Sequence, residues 1–454
     1  MFQPSLTLTA SAGITGSVVE TVGLTTAVAD FPAPVGAVVE IERPGAPPLA
    51  AEVVGFRDRL TLVYPLDANT GVRHGCRVRL VRTARTIRVG DALLGRVVNA
   101  HGLPIDGRPK PVAAERSRLD RQPPNATERP RISEQLSTGV RAIDGLLACG
   151  QGQRLGIFAG SGVGKSVLLG MMARYTKADV IVIGLVGERG REVNDFIERD
   201  LGPQGLARSV VVVATSNEPA LLRLQAASTA TTIAEHFRDQ GKNVLLLIDS
   251  VTRMAMAARE IGLAAGEPPT TRGYPPSVFA LLPRLVERAG RSRTGSITAY
   301  YSVLVEGDDE NEPIADTVRG LLDGHVWLSR KLASSGHFPA IDILSSISRS
   351  MTHIVTAEQR AAATTVRRML SALAENDDLI NIGAYRRGAN RLVDVGLELR
   401  DEIHALVRQA VEEPTSAADT TQRLVALAAK AEAKLQAAPV IASIPRVATP
   451  GAAA

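Results

Sequence analysis

A glycine-rich segment between an apolar run and a helical pattern constrains this fold more than any other feature of the sequence. Residues 155–159 form the apolar run and predict a buried strand, and residues 167–175 predict a helix. The segment and the first residue of that helix read Gly160, Ser161, Gly162, Val163, Gly164, Lys165, Ser166 and Val167. Consecutive small residues let backbone N–H groups converge on phosphate oxygens at a helix N-terminus. The segment therefore predicts a P-loop that binds the phosphates of a nucleotide.

Two side chains of this loop have predicted contacts of their own. Lys165 would reach the β- and γ-phosphates, and Ser166 would offer its hydroxyl to Mg²⁺. Ala159 stands where the usual G-x-x-x-x-G-K-[ST] pattern has its first glycine. The alternative is a glycine-rich turn without a ligand, but the strand before the segment and the helix after it favour the P-loop.

Acidic residues follow two further apolar runs. The run 244–248 ends in Asp249, which is the setting of a carboxylate that holds the water shell of Mg²⁺, although a strand-end Asp can also be a simple helix cap. The run 180–186 leads into a charged segment in which Glu188 is the candidate to polarise an attacking water. A solvated run of charges is the alternative interpretation of that segment.

The pattern of the chain changes twice and predicts a multidomain protein. Residues 1–85 contain short β-branched runs separated by Gly, Pro and Asp, which predict an N-terminal β-barrel or sandwich. Residues 86–355 alternate strand and helix patterns from about residue 153 onward, and this predicts a central α/β P-loop domain. Residues 356–440 predict a C-terminal α-helical domain with helices near 357–374 and 420–436, and the Ala/Pro-rich residues 441–454 predict a flexible tail.

Composition narrows the classes of protein and partner. Hydrophobic residues make up 45% and charged residues 22%, as in soluble globular proteins, and no apolar stretch approaches the roughly 18 residues of a membrane span. The two cysteines give no support for a disulfide framework, so we expect a cytoplasmic protein. The net charge of +5 is small for this length, and aromatic residues are only 3%, so we expect no nucleic-acid partner.

Several longer segments together resemble one family, the flagellar and virulence type III secretion ATPases, which are relatives of the rotary ATP synthase catalytic subunits. The segment 339–348 resembles the signature of the whole rotary superfamily, whereas the P-loop with Ala159 resembles the secretion branch. The similarity extends over roughly residues 13–388, and the matching segments are 94–106, 158–174, 187–195, 305–316 and 339–349. The resemblance implies a RecA-like P-loop domain that uses ATP with Mg²⁺.

The resemblance also implies roles for individual residues. Glu188 takes the position of the catalytic carboxylate, beside Lys165 of the P-loop. Arg189 takes that of a γ-phosphate contact, and Tyr385 that of an aromatic residue in the adenine pocket. Arg349 takes the position of an arginine finger that is given to a neighbouring subunit. Because such an arginine must lie at a subunit boundary and one chain carries both halves of the site, we expect a homohexamer.

The function implied is an ATP-hydrolysing motor of a type III protein export apparatus, with a flagellar apparatus favoured over a virulence injectisome. Hydrolysis would be coupled to chaperone release, substrate unfolding and export, at the periphery of the inner membrane. The implied partners are a coiled-coil central stalk protein, an export gate, chaperone–substrate complexes and a stator-like regulator. Alternatives are a hexameric RNA translocase of the transcription-terminator kind and a subunit of a rotary ATP synthase.

Two regions bear on these partners. The family resemblance places an acidic loop against the central stalk, although a solvated loop is the default interpretation; its acidic residues are Glu306, Asp308, Asp309, Glu310 and Glu312. The segment before Gly13 has alternating Thr and Leu in place of the amphipathic helix that docks the stator-like regulator in relatives. The sequence therefore supports the stalk partner better than the regulator.

Overall fold

The computed structural model describes residues 13–112, 115–305, 309 and 311–437. The segment before Gly13 and the tail 441–454 lie outside the described residues. The same is true of Glu306, Asp308 and Glu310 in the acidic loop.

Six antiparallel strands at the N-terminus close into a barrel, in the spatial order β1-β2-β5-β4-β3-β6. β-Branched and small residues such as Val28, Val39 and Val53 alternate along the strands and are buried inside the barrel. Closure pairs every strand on both sides and leaves no open edge. The strands are β1 (Thr15–Val22), β2 (Thr25–Ala29), β3 (Val38–Arg43), β4 (Ala46–Arg57), β5 (Leu60–Pro65) and β6 (Arg77–Arg82).

The chain between the barrel and the P-loop contributes to two sheets. β7 (Thr86–Val89) pairs with β9 (Glu115–Arg118) in a small antiparallel sheet. β8 (Arg96–Asn99) pairs in parallel with a strand of the central sheet. The sequence pattern of residues 94–98 predicts this strand. The bidentate contact of Arg96 with Asp106, at 2.7 and 2.9 Å, fixes the turn that follows β8.

The central sheet has the order β19-β18-β12-β17-β15-β13-β14-β8, with β16 paired beside β17. Neighbours from β18 to β8 run parallel, whereas β19 and β16 are antiparallel to their partners. The apolar runs 155–159, 180–186 and 244–248, which predict buried strands, lie in β12, β13 and β15. The strands after β9 are β10 (Gln135–Leu136), β11 (Cys149–Gly150), β12 (Arg154–Ala159), β13 (Val180–Glu188), β14 (Ser209–Thr215), β15 (Asn243–Asp249), β16 (Gly290–Arg291), β17 (Ser296–Leu304), β18 (Gly324–Leu328) and β19 (Ile341–Ser348).

Helices cover both faces of this sheet, as parallel strands require for their crossovers. A π-helical turn at Phe196–Leu201 joins α3 to α4. The helices are α1 (Arg141–Leu146), α2 (Lys165–Tyr175), α3 (Gly190–Asp195), α4 (Gly202–Ala207), α5 (Ala220–Asp239), α6 (Val251–Ala264), α7 (Pro276–Val286), α8 (Pro313–Leu321), α9 (Arg330–Ser334) and α10 (Met351–Ile354).

The described chain ends in a group of helices, α11 (Ala357–Glu375), α12 (Asp377–Asn381), α13 (Arg391–Glu398), α14 (Arg400–Val407) and α15 (Ala417–Gln436). Side-chain oxygens cap the two long helices, because Thr356 accepts from the Gln359 amide and Ser416 from the Asp419 amide. Buried Arg141 of α1 anchors the group to the central domain through Glu413, at 2.6 Å.

The predicted fold class of barrel, α/β domain and helical domain is therefore confirmed. Among the described helices, none is both long enough and apolar enough to cross a bilayer.

Candidate active site

The P-loop connects β12 to α2 at the carboxyl edge of the sheet. Gly162 and Gly164 have φ angles of +78° and +89°, in the left-handed region that favours glycine. A Cβ on Gly162 would have nothing within 4 Å, so the backbone conformation and not crowding requires glycine there. Gly160 and Val163 are buried, whereas Ser161, Ser166 and Val167 are exposed. The loop is thus anchored in the core and open to solvent at the first turn of α2, as a phosphate site requires.

Three of the predicted residues meet at this edge. The Lys165 ammonium contacts Asp249 Oδ1 and lies 3.9 Å from Glu188 Oε1. Asp249 is the last residue of β15 and also accepts a 2.5 Å hydrogen bond from the Ser302 hydroxyl. Because β12, β13 and β15 are parallel, their carboxyl ends lie together, and so do the residues that follow them. The structure therefore brings Lys165, Glu188 and Asp249 into one cluster.

A bulge in β13 directs Glu188 toward that cluster. The pairing of β13 with β14 shifts register between Val186 and Glu188, and Gly187 has a φ of +71°. A Cβ on Gly187 would lie 3.0 Å from Arg253 Cδ and 3.1 Å from its Cβ. Glycine is therefore needed at this position both for the backbone conformation and for the close approach of Arg253.

The environment of Glu188 favours its protonated form. Burial raises its pKa to about 7, and the neighbouring carboxyls of Glu192 and Asp249 add to that effect. The cations Lys165 and Arg253 act in the opposite direction. A carboxyl group that titrates near neutral pH suits a group that positions a water molecule and manages its proton.

Arg253 also belongs to this cluster, although the sequence analysis does not predict it as a site residue. Its Nε lies 3.3 Å from Glu188 Oε1, and its Nη1 donates to the Gly187 carbonyl at 2.7 Å. It lies in the first turn of α6, which Ser250 caps by accepting from the Arg253 amide. Its spacing from Asp249 is the signal in the sequence. A residue four positions after the end of β15 lies in the first turn of the following helix, close to the carboxyl edge of the sheet.

The two predicted Mg²⁺ ligands suit a nucleotide-bound ion. Ser166 is exposed at the start of α2, and Asp249 ends the neighbouring strand. No group of three or more His, Cys, Asp or Glu side chains that could hold a metal occurs in the described chain. Mg²⁺ commonly takes one or two protein oxygens and completes its shell with water and phosphate. The donor set therefore fits Mg²⁺ delivered with a triphosphate better than a resident metal.

The two predicted arginines are both exposed. Arg189 precedes α3 next to Glu188, and its side chain is 78% exposed, with Glu192 at 3.6 Å. Arg349 directly follows β19, and its amide donates to the Asp323 carbonyl at 3.0 Å. Within the part of the chain that the structure describes, the Arg349 guanidinium has no ion pair or hydrogen bond, and no contact joins it to Lys165 or Glu188. The first arginine is thus local to the cluster, and the second is not.

The predicted adenine contact, Tyr385, is engaged elsewhere. Its hydroxyl donates to the Asn390 carbonyl or to Asp394 Oδ1, each at 3.0 Å, in the loop between α12 and α13. By contrast, the ring of Phe338 lies 3.7 Å from the position of a Cβ on Gly164, and this side chain is 48% exposed. The Phe338 carbonyl accepts from the Gln409 amide at 3.0 Å, which ties it to the segment after α14. Phe338 is therefore the half-exposed aromatic residue beside the P-loop, and the sequence interpretation did not include it.

The sheet order, the P-loop after β12 and the acidic residues that end β13 and β15 are together those of a P-loop nucleoside triphosphatase. Residues 139–348 match the ATP synthase alpha/beta family, nucleotide-binding domain, and residues 355–426 match the T3SS EscN ATPase C-terminal domain. The chain belongs to the flagellar and type III secretion branch of the ATP synthase alpha/beta family, as the resemblance implied.

Relatives match almost the whole chain. It is 53% identical over 384 residues to the flagellum-specific ATP synthase of Bacillus subtilis (strain 168), covering 85% of this chain and 88% of the relative. It is 47% identical over 413 residues to the type 3 secretion system ATPase of Xanthomonas euvesicatoria, covering 91% and 93%.

The fold is also that of a solved structure. The assembled ATPase EscN from the enteropathogenic E. coli type III secretion system superposes with a TM-score of 0.87 at 45% identity, covering 91% of this chain and all of that one. The same ATPase in complex with its central stalk EscO superposes with a TM-score of 0.85 at 44% identity, again covering 91% of this chain and all of that one.

Proposed function

We propose that this chain is the ATP-hydrolysing motor of a type III protein export apparatus. The observation that carries the proposal is the cluster of Lys165, Glu188, Asp249 and Arg253 at the carboxyl edge of the sheet. It places a phosphate-binding cation, a carboxyl group with a raised pKa and a metal-binding carboxylate around the mouth of one P-loop. Such an arrangement suits phosphoryl transfer to water, in which positioning and charge stabilisation do most of the work.

In this proposal the P-loop amides and Lys165 hold the β- and γ-phosphates, and Ser166 and Asp249 hold Mg²⁺ or its water shell. The Mg²⁺ would neutralise phosphate charge when it is bound. Glu188 in its ionised form accepts a hydrogen bond from the attacking water and aligns it with the γ-phosphorus. Arg253 holds the Glu188 carboxylate by their 3.3 Å contact, and exposed Arg189 is free to turn toward the γ-phosphate.

Phe338 is the better candidate than Tyr385 for contact with the adenine ring. The half-exposed Phe338 ring adjoins Gly164, whereas the hydrogen bonds of Tyr385 stay within residues 379–394. An aromatic face beside the P-loop would stack on the base after the phosphates are seated.

We also propose a homohexamer in which Arg349 completes the site of the next subunit. β19 lies at one end of the strand order and exposes Leu344 and Ile347, at 41% and 46%. Exposed apolar side chains beside an unpaired arginine are typical of a surface that another subunit covers. The assembled form of EscN and its complex with a central stalk support the same arrangement for this chain.

The export role rests on the relatives. A flagellar apparatus is favoured over an injectisome because the Bacillus flagellar relative is 53% identical and the Xanthomonas secretion relative is 47% identical. We propose that hydrolysis drives chaperone release, substrate unfolding and export. The chain would work in the cytoplasm, peripheral to the inner membrane, against an export gate, chaperone–substrate complexes and a stator-like regulator.

The acidic loop remains a predicted stalk contact. Of its residues within the described chain, Asp309 pairs with Arg272 at 2.8 Å, and Glu312 caps α8 by accepting from the Ala315 amide at 2.7 Å. Both contacts are within one subunit, and we propose that a stalk meets Glu306, Asp308 and Glu310.

The proposal is tested by gene replacement in the source organism. A strain with Lys165→Ala is expected to secrete no hook or filament protein and to build no flagella. Lys177→Ala is the matched control, because Lys177 is exposed just beyond the C-terminus of α2. Normal secretion by the Lys165→Ala strain would overturn the motor role, and loss of injectisome substrates with intact flagella would reassign the system.

A further inference from the structure

A cavity of about 390 Å³ lies between the barrel and the central domain, apart from the P-loop. Its walls come from β3 and β4 of the barrel, from β7 and β9, and from Gln225 on α5. Apolar side chains such as Val39, Ile87 and Leu119 form part of the wall. The volume is within the range of small-molecule sites in proteins, about 300 to 1,000 Å³.

Cationic side chains dominate the charge of this cavity. The two carboxylates in the lining are Glu40 and Glu52, and Glu40 already pairs with Arg79 at 2.5 Å. Five basic residues face them, namely Arg82, Arg85, Arg88, Lys110 and Arg116. Such an excess of positive charge in a partly enclosed space raises the local concentration of anions.

The small sheet adds a second indication. Arg88 of β7 is directly opposite Arg116 of β9 in the antiparallel register, and both line the cavity. Two guanidinium groups at opposite positions on one face of a strand pair can both donate to an anion that lies between them. Arg116 is exposed, and within the described residues its guanidinium makes no ion pair or hydrogen bond. The register therefore concentrates positive charge where a ligand could neutralise it.

Glu52 lines the cavity on the side that faces the central domain, where it contacts Gln225. Its carboxylate accepts from Gln225 Nε2 at 2.8 Å and lies 3.3 Å from Arg85 Nε. Burial raises the pKa of Glu52 to about 7, although Arg85 and Gln225 both act to lower it. Near neutral pH this group therefore carries less than a full negative charge, and it opposes an anion less than an exposed carboxylate would.

We propose that this cavity binds a phosphorylated small molecule at the junction of the barrel and the P-loop domain. Each phosphoryl group brings up to two negative charges and matches the forked donors of arginine, so one group can bridge two of the lining arginines. The apolar wall accepts the uncharged part of the ligand. Because Gln225 belongs to α5, which packs on β13 and β15, the ligand would bind next to the helix that supports the catalytic strands.

The test uses the full chain with Lys165→Ala, so that the P-loop contributes little phosphate affinity. Calorimetric titration with inorganic pyrophosphate is expected to show one site per chain. The double variant Arg82→Gln/Arg116→Gln removes two exposed charges from the cavity and should weaken binding about tenfold or more, as expected for lost charge-assisted hydrogen bonds. Arg77→Gln is the matched control, because Arg77 is exposed on the same strand as Arg82 but does not line the cavity.

The proposal is overturned if pyrophosphate does not bind, if the double variant binds it equally well, or if Arg77→Gln causes an equal loss. Citrate separates the ligand classes, because it carries several carboxylates and no phosphate. Citrate binding as tight as that of pyrophosphate would contradict a phosphate site. None of these results depends on hydrolysis, so the proposal can fail while the motor role stands.

Discussion

The charged groups at the end of β15 and at the end of β19 belong to the same sheet, but their surroundings are opposite. Near β15, the side chains of Lys165, Glu188 and Asp249 are only 5–12% exposed, and the Lys165 ammonium contacts both carboxylates. After β19, Arg349 is exposed, and no ion pair or hydrogen bond of its guanidinium occurs among the described residues. The charges at the end of β15 are therefore paired within one chain, whereas the Arg349 guanidinium after β19 is exposed to solvent.

In the proposed mechanism, this difference divides the catalytic groups between two neighbouring chains. Buried charges are costly unless each has a partner, so the first cluster holds its shape within one chain. A cation that must stabilise charge on another subunit has to remain available, and exposure provides that at little cost in stability. We therefore expect a substitution in the Lys165 cluster to inactivate the site of its own chain, and a substitution of Arg349 to inactivate the site of the neighbouring chain.

Lys165→Ala should have the largest effect of the substitutions considered. It removes the cation that we propose to pair with the phosphates, so hydrolysis should fall to background and nucleotide binding should weaken sharply. Steady-state phosphate release and titration with MgATP measure the two effects. Lys177→Ala should retain normal values, and wild-type turnover by Lys165→Ala would remove the P-loop assignment.

Arg349→Ala should reduce hydrolysis by about 10³ to 10⁵, the range for arginine fingers, while MgATP binding is retained. The decisive experiment mixes Arg349→Ala and Lys165→Ala chains. Some interfaces then pair an intact P-loop with an intact arginine, and part of the activity should return.

The mixing experiment is valid only in rings that contain both variants, so light scattering and subunit exchange should be checked at the assay concentration. Recovery in mixed rings would support action on a neighbouring subunit. Absence of recovery in such rings would mean that both charged regions serve the same chain.

Glu188→Gln should slow turnover by about 10² to 10⁴ with little change in MgATP binding, because the amide keeps the shape but cannot act as a base. The pKa of Glu188 is raised to about 7, and the proposed mechanism uses its ionised form. The kcat/KM of the natural chain should therefore rise with pH through about 7 and level off above it. The kcat/KM of the Glu188→Gln variant should lack that rise. If the variant shows the same pH profile as the natural chain, Glu188 is not the titrating group.

The smallest effect is expected from Leu344→Ser/Ile347→Ser on the exposed face of β19. Both side chains are partly exposed, so the stability of the single chain should change by no more than about 0.5 kcal/mol each. Assembly should need a protein concentration about tenfold higher, because two apolar contacts are lost at each interface. Sedimentation velocity at a series of protein concentrations measures the concentration needed for assembly. If the variant assembles at the same concentration as the natural chain, the interface does not include this face of β19.

Residues at the carboxyl ends of buried strands could be predicted from the sequence, because parallel strands place those ends at one edge of the sheet. Glu188 and Asp249 follow that rule, and Lys165 follows from the loop that joins strand to helix. Arg253 requires the first turn of α6 to be oriented over that edge. Phe338 is distant in sequence from the P-loop and reaches it only through the packing of the segment after α9. Strand β8 could be predicted as a strand, but its pairing with β14 could not, because the pairing depends on the order of the whole sheet.

That pairing has a consequence for synthesis of the chain on the ribosome. The six barrel strands are contiguous in sequence and can close as soon as they emerge. Strand β8 emerges soon afterwards, but its partner β14 follows roughly 110 residues later. During that interval one side of β8 can already bond to residues 103–105, but the side that pairs with β14 has no partner strand. An unpaired strand edge can pair with other chains, so the nascent chain carries this risk of aggregation until β14 is synthesised.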